Sequence, residues 1–223
     1  MKLINKDNLC EINFLENEVN ILVIENNYIF TKYIMDFYKQ YNGLDGSWIL
    51  SELDVEYKLD KHMQLIIDPI SFDINSRILI NKLYSDIEKY ILSSEYILGM
   101  NNLNSLINDF ITKLLEEFDY DFLYEEELDI KNLFKFVNLK FNDISSTLIE
   151  KISNYMSICS SLLKSKVFVF INIKPYLSEK ELKDLYKLAR YLKIQLVMIE
   201  PAVREKLEGE KYLIIDKDSC VIT

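Results

Sequence analysis

Five short runs, at 20–25, 63–68, 166–172, 194–200 and 212–216, are almost unbroken stretches of Val, Ile, Leu, Phe and Met. A strand that is apolar at nearly every position has to be covered on both faces. That pattern belongs to a largely parallel sheet with helical crossovers, not to an antiparallel sheet with one wet face. The runs therefore fix an α/β fold class before any other feature is considered.

The clearest crossover is 166–200. An apolar run leads to Ser178 and Glu181, spaced as a capping box, and then to Leu182, Leu185, Leu188, Ala189 and Leu192 at helical spacing before the next run begins. This is a βαβ unit, whose two strands must be parallel. A second strand-to-helix passage spans 20–41, with Tyr28, Ile29, Tyr33, Ile34, Phe37 and Tyr41 as its expected buried face. Between 75 and 163 the strand pattern vanishes and helical periodicity takes over, in segments near 75–98, 102–118, 129–139 and 144–163. Asn75 or Ser76 is placed to cap the first of these, and Gly99 followed by Asn101 and Asn102 to end it. The strands on either side must share one sheet. The chain is thus expected to form a discontinuous α/β head, 1–74 with 165–223, into which an all-helical leg, 75–164, is inserted. Only four glycines and three prolines punctuate 223 residues, so long regular elements are expected, and no internal repeat is present.

Cys10, Cys159 and Cys220 are odd in number and widely spaced, which points to buried apolar side chains rather than a disulfide framework or a zinc site. The first residues lack a continuous apolar segment, and no apolar run approaches the roughly 18 residues a spanning helix needs. A soluble cytoplasmic protein with no membrane partner is expected. The net charge of −10 argues against a nucleic-acid partner, because phosphates are neutralised by Lys and Arg. Its distribution tells a different story: residues 130–193 hold twelve Lys and Arg against five acids, a balance of +7 that leaves −17 elsewhere.

Candidate chemistry is sparse. A nucleotide-hydrolysing α/β fold would carry a glycine-rich phosphate loop after its first strand, but residues 25–32 contain no glycine, and Thr31 and Lys32 stand in inverted order. Asp68 and Glu200, at strand ends, are the carboxylates a magnesium-dependent enzyme would use, and serve equally as strand-terminating polar residues. His62 is the lone histidine, which excludes multi-histidine metal sites and reads as a solvated side chain beside Lys61. The stretch 116–129 is the most unusual, with eight carboxylates in fourteen residues. It is either a solvated helix end and loop or a site for a hard, oxygen-seeking cation such as calcium, which takes roughly six to eight oxygens in tolerant geometry.

Three segments together resemble the small type II-A CRISPR-associated adaptation (spacer acquisition) protein family. They are Ile21-Leu-Val-Ile-Glu25 through Ile29-Phe-Thr-Lys32; Leu65-Ile-Ile-Asp68 followed by Phe72-Asp-Ile-Asn-Ser76; and Val169-Phe-Ile-Asn172 with Tyr176-Leu-Ser-Glu179 and Val197-Met-Ile-Glu-Pro201. Their order and separations fit across most of the chain. The resemblance implies a head related to a degenerate P-loop nucleotide-binding fold and a helical leg. It also implies a non-catalytic, calcium-dependent homotetrameric ring that binds double-stranded DNA ends without sequence preference, beside the CRISPR integrase complex and the RNA-guided nuclease of the same locus. For the metal it points to Glu117, Asp119, Asp121, Glu125, Glu126 and Glu127 in the leg. For DNA it points to Lys32, Lys58 and Lys61, with Lys131, Lys135 and Lys140 as further candidates for the inner wall. In a ring, a minority of lysines facing the hole can focus positive potential there while the acids face outward, so the net charge loses its force.

Two other readings remain open at this point. One is a divergent nucleotide hydrolase working through Asp68 and Glu200. The other is a module that binds proteins, in which the charge clusters are solvated faces.

Overall fold

The computed structural model describes residues 1–7, 10–53 and 55–222. The chain divides into two compact units, Met1–Ile74 with Asp143–Thr223, and Asn75–Asn142.

In chain order the first unit begins with β1 (Lys2–Asn5), β2 (Glu11–Asn13), β3 (Val19–Ile24), α1 (Asn27–Tyr41), β4 (Trp48–Glu52), β5 (Val55–Tyr57), α2 (Leu59–His62) and β6 (Met63–Ile66). The second unit contributes α3 (Arg77–Leu92), α4 (Tyr96–Leu115) and α5 (Ile130–Phe136). The first unit resumes with α6 (Leu148–Ile158), β7 (Val167–Ile171), α7 (Glu179–Leu192), β8 (Gln195–Glu200), β9 (Glu210–Ile215) and β10 (Val221–Ile222).

All five apolar runs enter one six-stranded sheet of order β10-β9-β3-β8-β7-β6. Every pairing from β9 to β6 is parallel, and only β10 is antiparallel. The sheet is covered on both faces, as unbroken apolar strands require. One face, carrying Leu22, Ile24, Val169, Val197 and Ile199, packs with Tyr33 and Phe37 of α1 in a single core. That core is closed by a second, antiparallel sheet of order β2-β1-β4-β5, which sends in Leu3, Ile12, Trp48 and Leu50. Trp48 stacks on Phe37 at 4.3 Å and meets Tyr33 edge-on at 5.1 Å. On the other face α7 buries Leu182, Leu185, Tyr186 and Ala189, and α6 buries Ile152, Tyr155 and Met156. The capping box of α7 forms as expected: Ser178 N donates to Glu181 Oε2 at 2.8 Å.

Several expectations are corrected. The second sheet has no counterpart in the sequence reading. The helical insertion, carried there to 164, ends as a compact unit at Asn142, because α6 turns its apolar face to the head sheet, with Tyr155 edge-on to Phe168 at 6.4 Å. Gly99 lies inside the first turn of α4, not at a helix end; the chain turns earlier, at Ser93 and Ser94. Ser76 occupies the cap position of α3 without a side-chain bond, and Asn75 instead clasps the backbone N–H and carbonyl of Phe141. Tyr28 is 78% exposed. Cys10 and Cys159 are buried, their thiols pushed up to about 12 by burial, whereas Cys220 is exposed. Among the described residues no helix is long and apolar enough to cross a membrane.

Candidate functional site

Ligands of open α/β sheets bind outside the carboxyl ends of the strands, and here the junction at the end of β3 is engaged by the chain itself. Residues 25–32 are not a loop. β3 ends at Ile24 and α1 begins at Asn27, so only Glu25 and Asn26 connect them, and Thr31 and Lys32 are helical. Asn26 Oδ1 accepts from the backbone N–H groups of Tyr28 at 3.0 Å and Ile29 at 3.2 Å, and Asn26 Nδ2 donates to the Lys217 carbonyl at 3.0 Å. Two of the free amides that a phosphate seeks at a helix N-terminus are thus already engaged.

Of the two strand-end carboxylates, Asp68 is held by local backbone, and Glu200 is held through one oxygen while its buried Oε2 has no hydrogen-bond partner among the described residues. Glu200 is 0% exposed; its Oε1 accepts from Lys174 N at 3.0 Å, and Arg204 Nε lies 3.5 Å from its Oε2. Burial raises its pKa against these favourable contacts. Asp68 Oδ1 accepts from Ile70 N at 2.9 Å, and that bond, with others from Ser71, holds its carboxyl below the usual range. His62, read as solvated, is half-buried against Tyr57 with ring centroids 4.9 Å apart.

The six candidate lysines are divided between the two units. In the head, Lys32 Nζ is 2.9 Å from Asp7 Oδ2, which also accepts from Ser47 Oγ at 2.9 Å. Hydrogen bonds from Lys32 and then Ser47 lower the Asp7 pKa, and the Asp7 bond raises that of Lys32. Lys58 and Lys61 come together because α2 is a single turn: the Lys58 carbonyl accepts from Lys61 N at 3.1 Å. Both are exposed; Lys61 has Asp60 at 3.4 Å, and Lys58 has no ion-pair partner among the described residues. In the second unit, Lys131 is paired with Glu88 at 2.9 Å, which raises its pKa. Lys135 Nζ donates to Asn132 Oδ1 at 3.1 Å, and neither it nor the exposed Lys140 has an ion-pair partner among the described residues. Lys58 and Lys140 are thus open to an external anion, Lys61 and Lys135 are weakly held, and Lys32 and Lys131 would have to break an ion pair.

Glu117, Asp119, Asp121, Glu125, Glu126 and Glu127 are all exposed. Among the described residues no group of three or more His, Cys, Asp or Glu side chains is placed to hold a metal ion. The donor chemistry suits calcium, but the arrangement within one chain does not fit a site. What fixes the acidic segment is a polar stripe that the sequence reading missed. Asn104, Asn108 and Thr112, four residues apart on α4, reach Leu128 N at 2.9 Å, the Glu126 carbonyl at 2.7 Å and Tyr124 Oη at 3.0 Å. Their i, i+4, i+8 spacing was the available signal.

A second missed feature is a buried ion pair on the α7 face. Lys174 Nζ lies 2.8 Å from Glu210 Oε1 and 3.0 Å from Tyr212 Oη, and donates to the Glu205 carbonyl at 3.1 Å. Tyr186 and Leu207 N also donate to Glu210.

Residues 40–219 match the family model described as CRISPR-associated protein (Cas_Csn2). A CRISPR-associated protein Csn2 of Enterococcus faecalis is 26% identical over 162 residues, covering 71% of this chain and 74% of that protein. One from Streptococcus agalactiae is 24% identical over 207 residues, covering 92% and 91%. Among solved structures, a putative ABC transporter ATP-binding protein from Pyrococcus furiosus aligns with a TM-score of 0.40 and 13% identity, covering 95% of this chain and 97% of that one, a likeness too remote to build on.

Proposed function

The chain belongs to the Csn2 family of CRISPR-associated proteins, and from that premise we propose that it acts in spacer acquisition as a non-catalytic homotetrameric ring around double-stranded DNA ends. The observation that carries the assembly is the thin core of the unit Asn75–Asn142. Leu79, Tyr84 and Ile130 are its only buried side chains, and α4 buries none of its twenty residues while exposing Leu98, Leu106, Phe110 and Leu114. A unit that hides so little apolar surface needs a permanent partner, and a second copy of the chain is always at hand in equal amount.

DNA binding rests on the family resemblance and is supported by the open ammonium groups of Lys58 and Lys140. Contacts of this kind meet phosphates, so binding should be indifferent to sequence and steeply salt-dependent. The absence of catalysis is supported by the two-residue connection from β3 to α1, which leaves no loop to cradle a triphosphate. Calcium at the acidic segment, and hand-over to the integrase complex and RNA-guided nuclease, belong to the same proposal. The carboxylates are splayed in the single chain, so a calcium site there requires rearrangement or oxygens from a second copy, and no step is assigned to the ion.

Light scattering in calcium and in chelator, with binding to linear and covalently closed DNA compared in each, tests the whole. A tetramer that retains linear DNA and ignores the circle is expected. A monomer indifferent to both would leave only family membership and the fold standing.

A further inference from the structure

A cavity of about 630 Å³ opens beside the amino-terminal end of β3, at the opposite end of that strand from the α1 junction, with β2 and β9 contributing its walls. That size is usual for a small-molecule site. Two side chains at its edge are unsatisfied: Asn20 Nδ2 and Glu18 Oε2 are buried without a hydrogen-bond partner among the described residues. Asn20 is only 4% exposed, and Lys211 Nζ stands 3.9 Å from Glu18 Oε2. Buried polar atoms without partners are rare in folded proteins and call for an absent one. Asn20 alternates along β3 with Leu22 and Ile24, which face the core beneath the small sheet, so its amide points to the same side, towards β2.

The two unsatisfied atoms differ in kind, one a donor and one an acceptor, two residues apart. The lining carries Glu11, Glu18 and Glu210 against Lys206 and Lys211; Glu210 is already paired with Lys174, so the remaining charges balance, and Leu213 adds apolar surface. A bare anion or cation gains little there. A flat, uncharged molecule carrying a carbonyl next to a ring N–H satisfies both atoms at once.

We propose that this cavity binds a nucleobase by its lactam edge, the ring carbonyl accepting from Asn20 Nδ2 and the adjacent ring N–H donating to Glu18 Oε2. The base is either that of a free nucleoside or an unpaired base at a DNA end, and the proposal does not depend on the ring. Saturation-transfer NMR on the full chain with uridine and 3-methyluridine tests it. Uridine should give a saturable signal, and the methylated analogue, which lacks the donor, should bind at least about tenfold more weakly. Asn20→Leu should abolish the signal yet melt no lower than the parent, since it removes an unpaired amide. Should that variant fail to fold, Glu18→Ala, at a partly exposed position that leaves no acceptor, should erase the preference for uridine. Competition with duplexes distinguishes the sources: displacement of thymidine by an unpaired 3′-thymidine but not by a blunt end assigns the DNA terminus, and displacement by neither assigns the free nucleoside. No saturable uridine signal, or equal binding of the two nucleosides, overturns the proposal.

Discussion

Replacing Lys174 by Met isolates the energetics of the buried pair. The side chains of Lys174 and Glu210 are 3% and 0% exposed, with their charged atoms 2.8 Å apart. Methionine keeps the apolar stem but strands the Glu210 carboxylate, which retains Tyr186, Leu207 N and, at 3.3 Å, Tyr212 Oη as donors. Removing one partner of a buried ion pair costs about 3–5 kcal/mol. With these donors surviving, the lower end applies, about 3 kcal/mol. In a chain of this size about 1 kcal/mol moves Tm by roughly 2–4 °C, so Lys174→Met should melt about 6–12 °C below the parent. The double variant with Glu210→Leu should recover much of that loss, because an apolar pair needs no compensation. The pH dependence has a definite sign. Burial pulls the Lys174 pKa down, but its hydrogen bonds to Glu210 and Tyr212 outweigh burial and leave it raised. Its contribution is therefore fully present below the unfolded lysine value, about 10.4, and is lost as pH rises through the higher folded value. Thermal unfolding followed by circular dichroism should show a constant gap between parent and variant at neutral pH that closes only in strong alkali. A Tm within about 2 °C of the parent, or a double variant less stable than the single one, would refute this account.

Changing Lys58 and Lys61 together to Glu should weaken duplex binding and reduce the salt slope by up to about 2, near 0.9 per lost phosphate contact, with the assembly mass unchanged; unaltered affinity would remove both from the DNA-facing surface. Asn26→Ala should cost about 1 kcal/mol as a lost helix cap and confer no nucleotide turnover, and turnover in a phosphate-release assay would contradict the filled-site account. Phe110→Asp should lower the mass seen by light scattering, while an intact oligomer would move the interface away from α4. Asn108→Ala should speed proteolytic cleavage within 116–129, and an unchanged cleavage rate would show that the polar stripe does not hold the segment.

The large sheet was legible because its strands are apolar throughout, a pattern with few alternative explanations. The small sheet was not, since β1, β2 and β5 are only three or four residues long and the pairing that joins the β2-β1 and β4-β5 hairpins, Lys2 opposite Ser51, lies across distant sequence. Tyr28 has the spacing of a buried position but sits in the first turn of α1, where that face overhangs the core. Gly99 looks like punctuation, yet a helix tolerates glycine in its first turn. For the site, composition identified the charges and not their partners. Lys32 meets Asp7 across 25 residues, and Lys131 meets Glu88 from another helix, pairings that no local pattern encodes. The acidic stretch announced eight carboxylates but not that, among the described residues, no three would be grouped to hold an ion.

The two-residue span from Ile24 to Asn27 also limits how this fold can change. Putting glycines at Glu25 and Asn26 would free the helix amides without creating room for a phosphate between strand and helix. A nucleotide-binding version of this head would need several residues inserted at that junction and, in the same step, a new anchor for the Lys217 carbonyl that Asn26 now holds. Point mutation alone has no route to a phosphate loop at that junction, because what it lacks is length.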